Sequence, residues 1–216
     1  MTRFILIRHG QSLANLQGIF AGHLDVALSP LGEQQARVTA EYIKKNFAID
    51  CVYSSDLKRA RDTALAVGEA FGLPVTPHQG LREVFAGEWE GMTFDELQTG
   101  KFREGYALWL KNVGCAHPNG GESVVDLQKR VVATLEAIAK EYPGQTVAIG
   151  THATPLRAVI CHAMGLPAEQ MKDVPWVSNA SVTVIDVCDG KFLLQTAGYD
   201  QHQIDAGLSS HFPANV

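Results

Sequence analysis

One run near the start of the chain restricts its fold more than any other: Phe4-Ile5-Leu6-Ile7, followed at once by Arg8-His9-Gly10-Gln11-Ser12. Four consecutive apolar residues lack the alternation of a strand with one wet face. They read as a short strand buried on both faces, which requires layers above and below a sheet. The run then stops in a strong cation, an imidazole and a glycine, a residue that lets the backbone turn sharply or approach a ligand closely. Ser12 is suited to cap the polar turn that follows. Arg8 and His9 therefore stand at the carboxyl end of a central strand, where ligands bind in open α/β sheets. Taken alone, the same two residues also suit a strand that merely surfaces into water.

The rest of the chain repeats this design. A second apolar run, 146–150, also ends at a histidine, in Thr151-His152-Ala153-Thr154. Between the two, Ser29 and Pro30 supply the N-cap and first position of a helix to about Asn46, striped by Ala36, Ala40 and Ile43. A short strand at 49–53 leads through Ser54-Ser55-Asp56 into a helix striped by Leu57, Ala60, Ala64, Val67 and Phe71. A third, short strand is expected at 73–78. Ser123 caps a further helix, with Asp126 three residues on. Another helix is expected from about Pro155 to Met164. The final strands, 182–187 and 192–198, are joined by an Asp189-Gly190 turn. Alternating strands and helices predict an α/β fold: a mostly parallel sheet, helices on both faces and an antiparallel edge strand.

With 216 residues, 46% of them hydrophobic, the chain suits a single domain, 1–216, carrying a small cap insertion at about 84–121. That excursion is rich in glycine and aromatics and too short to build its own core. The polar tail from about Tyr199 is expected to be loosely ordered. A net charge of -5 argues against general nucleic-acid binding. No apolar run is long enough for a bilayer, and the chain enters its first strand at once, so neither membrane nor signal peptide is expected. Cys51, Cys115, Cys161 and Cys188 are widely spaced, which reads as free thiols in a reducing, cytoplasmic compartment, with Cys51 and Cys161 in the core. A homodimer through the last strands is compatible with the pattern, and nothing requires it.

Three strand ends now carry reactive or cationic residues: Arg8 with His9, Arg59 just beyond the second strand, and His152. Lys58, Arg59 and Arg61 crowd the start of a helix, where cations oppose the macrodipole. Either they are solvated, or one is held there to meet an anion, and Arg59 is the better placed. Two guanidiniums and two imidazoles suit a phosphoryl group, since arginine forks pair with phosphate oxygens. The same set would repel a metal ion. Neither a Walker loop nor a dinucleotide fingerprint is present in the sequence.

Several motifs in the right order then resemble one family. They are Arg8-His9-Gly10-Gln11-Ser12, Asn15, Leu28-Ser29-x-x-Gly32, Tyr53-Ser54-Ser55-Asp56-Leu57-x-Arg59-Ala60, Leu81-Arg82-Glu83, Trp89-Glu90-Gly91, Gly121-Glu122-Ser123 and Thr151-His152. Together they resemble the phosphoglycerate-mutase-like branch of the histidine phosphatase superfamily. The resemblance implies a three-layer αβα sandwich and phosphoryl transfer through a phosphohistidine, with no cofactor and no metal. His9 would be the nucleophile, its other ring nitrogen held by the Gly10 carbonyl. Arg8, Arg59 and His152 would bind and stabilise the phosphoryl oxygens. Glu83 would give a proton to the leaving alcohol and then take one from the attacking water, relying on the charge of the dianionic substrate to hold that proton. Asn15, Ser12, Gly22, His23 and the Ala153 backbone N–H complete the implied substrate-binding set. Glu88 and Glu90 are second choices for the acid. Arg82 and Arg157 are assigned to scaffold salt bridges, and His78, His117, His162, His202 and His211 to surface or loop positions. Where the family commonly has glycines after the second histidine, Ala153-Thr154 stand here and stiffen the loop.

The expected activity is a metal-independent phosphomonoester hydrolase acting on a small phosphorylated metabolite. A cofactor-dependent phosphoglycerate mutase is the alternative, and a non-catalytic phospholigand-binding module the second. The excursion carries Lys101, Arg103, Lys111 and His117 but lacks the adjacent arginine pair typical of the mutases. Its aromatics, Phe85, Trp89, Phe94, Phe102, Tyr106 and Trp109, instead suggest an apolar wall beside the phosphate.

Overall fold

The computed structural model describes residues 1–210. In chain order its elements are β1 (Thr2–Arg8), α1 (Leu13–Gln17), α2 (Pro30–Asn46), β2 (Cys51–Ser54), α3 (Lys58–Phe71), β3 (Val75–Pro77), α4 (Phe94–Leu97), α5 (Arg103–Lys111), α6 (Val124–Glu141), β4 (Thr146–Thr151), α7 (Ala153–Ala163), β5 (Val182–Cys188), β6 (Lys191–Tyr199) and α8 (Gln201–Asp205), with short 3₁₀ turns between some of them.

The strands form one sheet in the order β3-β2-β4-β1-β5-β6. β3, β2, β4 and β1 run parallel, while β5 pairs antiparallel with β1 and with β6. The hairpin between β5 and β6 turns at Asp189 and Gly190, with φ of 50° and 77°, the positive pair that a two-residue turn of this hand needs. Successive residues of β1 point to opposite faces and bury on both. Ile5 and Ile7 pack with Ala40 and Ile43 of α2 and Ala64 and Val67 of α3. Phe4 and Leu6 pack with Leu127, Val131 and Leu135 of α6 and Leu156 and Val159 of α7. The sheet is thus sandwiched between two helical layers, as the unbroken apolar runs require.

Ser29 caps α2, its Oγ accepting from Gly32 N at 3.1 Å. This helix start lies hard against the turn after β1. A Cβ on Gly10 would come within 2.4 Å of the Gly32 carbonyl oxygen, and one on Gly32 within 2.0 Å of that of Gln11. Side chains at either position would push the two segments apart. The apolar residues of the 84–121 excursion, including Trp89, Leu97, Phe102, Tyr106 and Trp109, join the same cluster as Phe4 and Leu6 rather than forming one of their own.

Some expectations need correction. α3 begins at Lys58 rather than at Ser54-Ser55-Asp56, because Ser55 Oγ accepts from Leu57 N at 3.3 Å and holds the preceding turn open. α7 begins directly at Ala153, with Pro155 inside the first turn, where a missing N–H costs nothing. Over its described part the chain beyond Tyr199 is not a loose tail. α8 buries His202 and Gln203, whose Nε2 donates to Thr39 Oγ1 at 2.7 Å and to Gln35 O at 2.9 Å. His202 is accordingly no surface residue: it stacks on Tyr42 at 4.6 Å. The end of the expected tail, with His211, lies outside the described residues. Cys161 is buried and Cys51 half-buried against the core, and the described cysteines are all free thiols. Among the described residues no helix is long and apolar enough to cross a membrane.

Candidate active site

The parallel strands deliver their carboxyl ends to one edge. Arg8 ends β1, His9 follows it, and His152 follows β4, next to β1 in the sheet. His9 N donates to Thr151 O at 2.9 Å, which ties the two strand ends together. The two imidazoles meet edge to face, with ring centres 5.2 Å apart. Arg59 projects from the first turn of α3, the helix that follows β2. Glu83 arrives on the loop after Leu81, which is fastened to the end of β4 by Thr151 Oγ1 donating to Leu81 O at 2.8 Å.

A cleft of about 520 Å³, including solvent at its mouth, is lined here by Arg8, His9, Ser12, Asn15, Gly22, Arg59, Glu83, Ala153 and Thr154. The same cleft is lined by Ile19, Phe20, Phe94, Trp109 and Trp176. The apolar wall read from the sequence is therefore present, but only Phe94 and Trp109 of the named aromatics belong to it. Trp89 and Tyr106 are packed beneath, where Trp89 meets Phe20 at 5.6 Å.

His9 is 4% exposed, and its Nδ1 lies 2.7 Å from the Gly10 carbonyl oxygen. A carbonyl only accepts, so Nδ1 carries the proton and Nε2 keeps its lone pair. Burial, then Arg59 and Arg8, hold the His9 pKa well below the ordinary histidine value, so the ring is neutral at pH 7. His152 is depressed likewise, by burial first and then by Arg59. Its Nε2 lies 2.8 Å from Ser55 Oγ, while its buried Nδ1 has no partner among the described residues. Burial lowers Arg8 to about 9 and Arg59 to about 10, with the Glu83 carboxylate opposing both shifts, so both guanidiniums remain cations at neutral pH. Arg8 donates from Nη1 to Val177 O. Arg59 donates to Leu24 O and Gly22 O, each at 2.8 Å. Glu83 Oε1 accepts from Val84 N at 2.8 Å and Oε2 from Thr154 N at 3.3 Å.

Of the residues implied by the motifs, the cleft gathers all but two side chains. His152 is buried and does not line the cleft, its ring meeting that of His9 edge to face. His23 does not line the cleft: its Nε2 donates to Glu83 O at 2.9 Å and its ring leans on Phe85, so it braces the Glu83 loop from outside. Ser12 caps α1 and forms a reciprocal pair with Asn15, whose Oδ1 accepts from Ser12 N at 3.1 Å. Glu88 pairs with Lys101 at the surface, and Glu90 accepts from His23 N and Ala86 N, so neither second-choice acid reaches the cleft. Arg82 makes the expected salt bridge, a fork to Asp56 at 2.6 and 2.7 Å. Arg157 does not. It donates to the carbonyls of Met171 and Val174 and lies 4.0 Å from the Trp176 ring centre.

Three participants have no local signature. Asn179 Nδ2 donates to His9 O at 3.0 Å and approaches Asn15 Oδ1 at 3.4 Å. Trp176 lines the cleft. Arg130, paired with Glu122 at 2.7 and 2.8 Å, donates to the carbonyls of Gly80, Arg82 and Glu83. The capping signal at Ser123 locates the helix that carries Arg130, but nothing in the sequence aims that side chain at the Glu83 loop.

Every cation in this recess would welcome an oxyanion, and the neutral ring between them offers a nitrogen lone pair; fold and site define an α/β protein that handles phosphoryl groups. The chain belongs to the histidine phosphatase superfamily (branch 1), whose family model matches residues 4–200. It is 34% identical over 185 residues to phosphoserine phosphatase 1 of Hydrogenobacter thermophilus, covering 86% of each chain. It is 32% identical over 210 residues to a metal-independent phosphoserine phosphatase of Arabidopsis thaliana, covering 96% of this chain and 86% of the relative. Among solved structures, a mycobacterial glucosyl-3-phosphoglycerate phosphatase in complex with VO3 superposes with a TM-score of 0.85 at 29% identity, over 92% of this chain and 99% of the other.

Proposed function

We propose that this protein hydrolyses small phosphomonoesters without a metal, through a phosphohistidine on His9. The observation that carries the proposal is the His9 tautomer: Nδ1 committed to Gly10 O at 2.7 Å, Nε2 bare, in a ring kept neutral by burial and two arginines. Nε2 attacks phosphorus, and the bond from phosphorus to the alcohol oxygen breaks. Arg8 and Arg59 hold the equatorial oxygens as charge spreads over them, and His152 Nδ1 supplies a further donor. Glu83 gives its proton to the departing oxygen. Water then attacks the phosphohistidine, Glu83 takes a proton from it, and inorganic phosphate leaves with His9 restored. The named activities of the relatives above support hydrolysis of a small phosphorylated metabolite. The apolar residues lining the same cleft support a leaving group with some apolar surface.

The test is p-nitrophenyl phosphate turnover in EDTA, with labelling from a radioactive phosphate donor quenched in alkaline detergent. Wild type should turn over and yield acid-labile, base-stable label, and His9→Ala should do neither. No turnover from acid to alkaline pH would overturn the proposal. Interconversion of 3- and 2-phosphoglycerate with bisphosphate primer, faster than hydrolysis, would replace it with a mutase.

A further inference from the structure

A second cavity, about 560 Å³ including solvent at its mouth, shares two wall residues with the catalytic cleft, Trp109 and Trp176. Its charged lining consists of Arg157, Lys111 and Lys172, and the remainder is apolar, with no carboxylate among the lining residues. Such a one-sided lining stands out on a chain of net charge -5.

Arg157 is 3% exposed. Its Nε and Nη2 are spent on the carbonyls of Val174 and Met171, but Nη1 is buried with no partner among the described residues. Trp109, one of the shared walls, carries a second buried donor without a partner, its indole Nε1. Buried donors are nearly always paired. Two residues that line this cavity thus each carry one buried donor for which the described residues supply no acceptor. Burial lowers Arg157 to about 10, so it is charged at neutral pH. Lys111 is exposed at the rim, and Lys172 is held 2.7 Å from Asp173 Oδ1.

We propose that this cavity is a second anion site, taking carboxylate or phosphate oxygens on Arg157, Trp109 and the two lysines, beside the phosphoryl site. The anion has two sources. It is either a free small anion, or the carboxylate at the far end of a substrate whose phosphoryl group lies at His9. Only the second source rests on the proposed phosphatase activity.

Malonate is the probe, followed by titration calorimetry. Wild type should bind it saturably. The paired variant Lys111→Glu/Lys172→Glu, both changes at exposed positions, should weaken binding by about tenfold or more through charge reversal at the rim. Arg59→Met, which removes a cation of the catalytic recess and its bonds to the Gly22 and Leu24 carbonyls but no residue lining the second cavity, should leave malonate binding unchanged. Arg157→Lys should weaken it too, but that change is buried and can disturb folding, so the lysine pair is the deciding variant. Absence of saturable binding means that the cavity holds only water and overturns the proposal. So does binding that is lost in Arg59→Met and kept in the lysine pair, which would put malonate in the catalytic recess. The source follows from kcat/KM. A loss of about tenfold for 3-phosphoglycerate, with p-nitrophenyl phosphate unchanged, assigns the substrate's carboxylate. Unchanged values for both substrates, with malonate binding still weakened, assign a free anion. A protein that hydrolyses nothing but binds malonate in this pattern would sink the phosphatase proposal and leave the anion site standing.

Discussion

Glu83 reaches the cleft with both carboxylate oxygens already met by backbone donors, Val84 N at 2.8 Å and Thr154 N at 3.3 Å. Its carbonyl is gripped from the other side by His23 and Arg130. The side chain is thus held in place before any substrate arrives, which a proton shuttle requires, because a misplaced acid loses most of its effect. Glutamine in its place keeps the volume and one acceptor but has no proton to exchange. Glu83→Gln should lower kcat about 10²- to 10⁴-fold for an alkyl phosphate, whose alkoxide cannot leave unprotonated. For p-nitrophenyl phosphate the loss should be far smaller, since that phenolate leaves unaided. Steady-state kinetics on both substrates decide: an equal loss on both would make Glu83 a binding residue rather than the acid.

At the scale of elements, α3 poses the sharper problem. It starts with Lys58, Arg59 and Arg61, has no side-chain cap from Leu57, and carries no acidic residue in its first turn. The answer comes from a distant loop. Asp25 Oδ1 accepts from Lys58 N at 2.6 Å, while Arg59 clasps the carbonyls of Gly22 and Leu24 in the same loop. One carboxylate therefore caps the helix from outside and balances the cations that the recess needs there. Asp25→Ala should cost about 0.5–1 kcal/mol in urea unfolding, the low end for a cap because the residue is exposed, and Asp25→Asn less. No change in midpoint would show that the cap is not stabilising. This bond also marks the limit of what is legible in the sequence. Buried strands, helix caps and the residues at strand ends follow from local patterns, and so Arg8, His9, Arg59 and His152 stand out. Asp25 on α3, Arg130 on the Glu83 loop and Asn179 on His9 O are pairings across long stretches of chain. The last of these, like Trp176, depends on β5 inserting antiparallel beside β1, which brings the segment before β5 to the carboxyl edge of the parallel strands. No periodicity in 165–181 announces that insertion.

For the molecule as a whole, the recess imposes a dependence of stability on pH. The chain is net negative, yet its centre holds two arginines and two imidazoles kept neutral by burial and by those arginines. His202, stacked on Tyr42 beneath α8, is depressed as well, chiefly by burial. All three are neutral in the folded state at a pH where an unfolded chain already takes up protons, about 6.5. Above that value both states hold the same protons on these rings, and the stabilisation is complete. Below it the unfolded state binds more, so stability falls as the pH drops, by about 1.4 kcal/mol per pH unit for each ring until its folded pKa is reached. The melting temperature should therefore be lower at pH 5.5 than at pH 7.5, well before most carboxylates titrate. His9→Asn, an amide that cannot take up a proton, should flatten that slope by one ring's share. Thermal unfolding of both proteins across this range is the measurement. A melting temperature indifferent to pH, or a slope unchanged in His9→Asn, would mean that the His9 ring takes up its proton at the same pH folded as unfolded, so that burial and the two arginines do not hold it neutral.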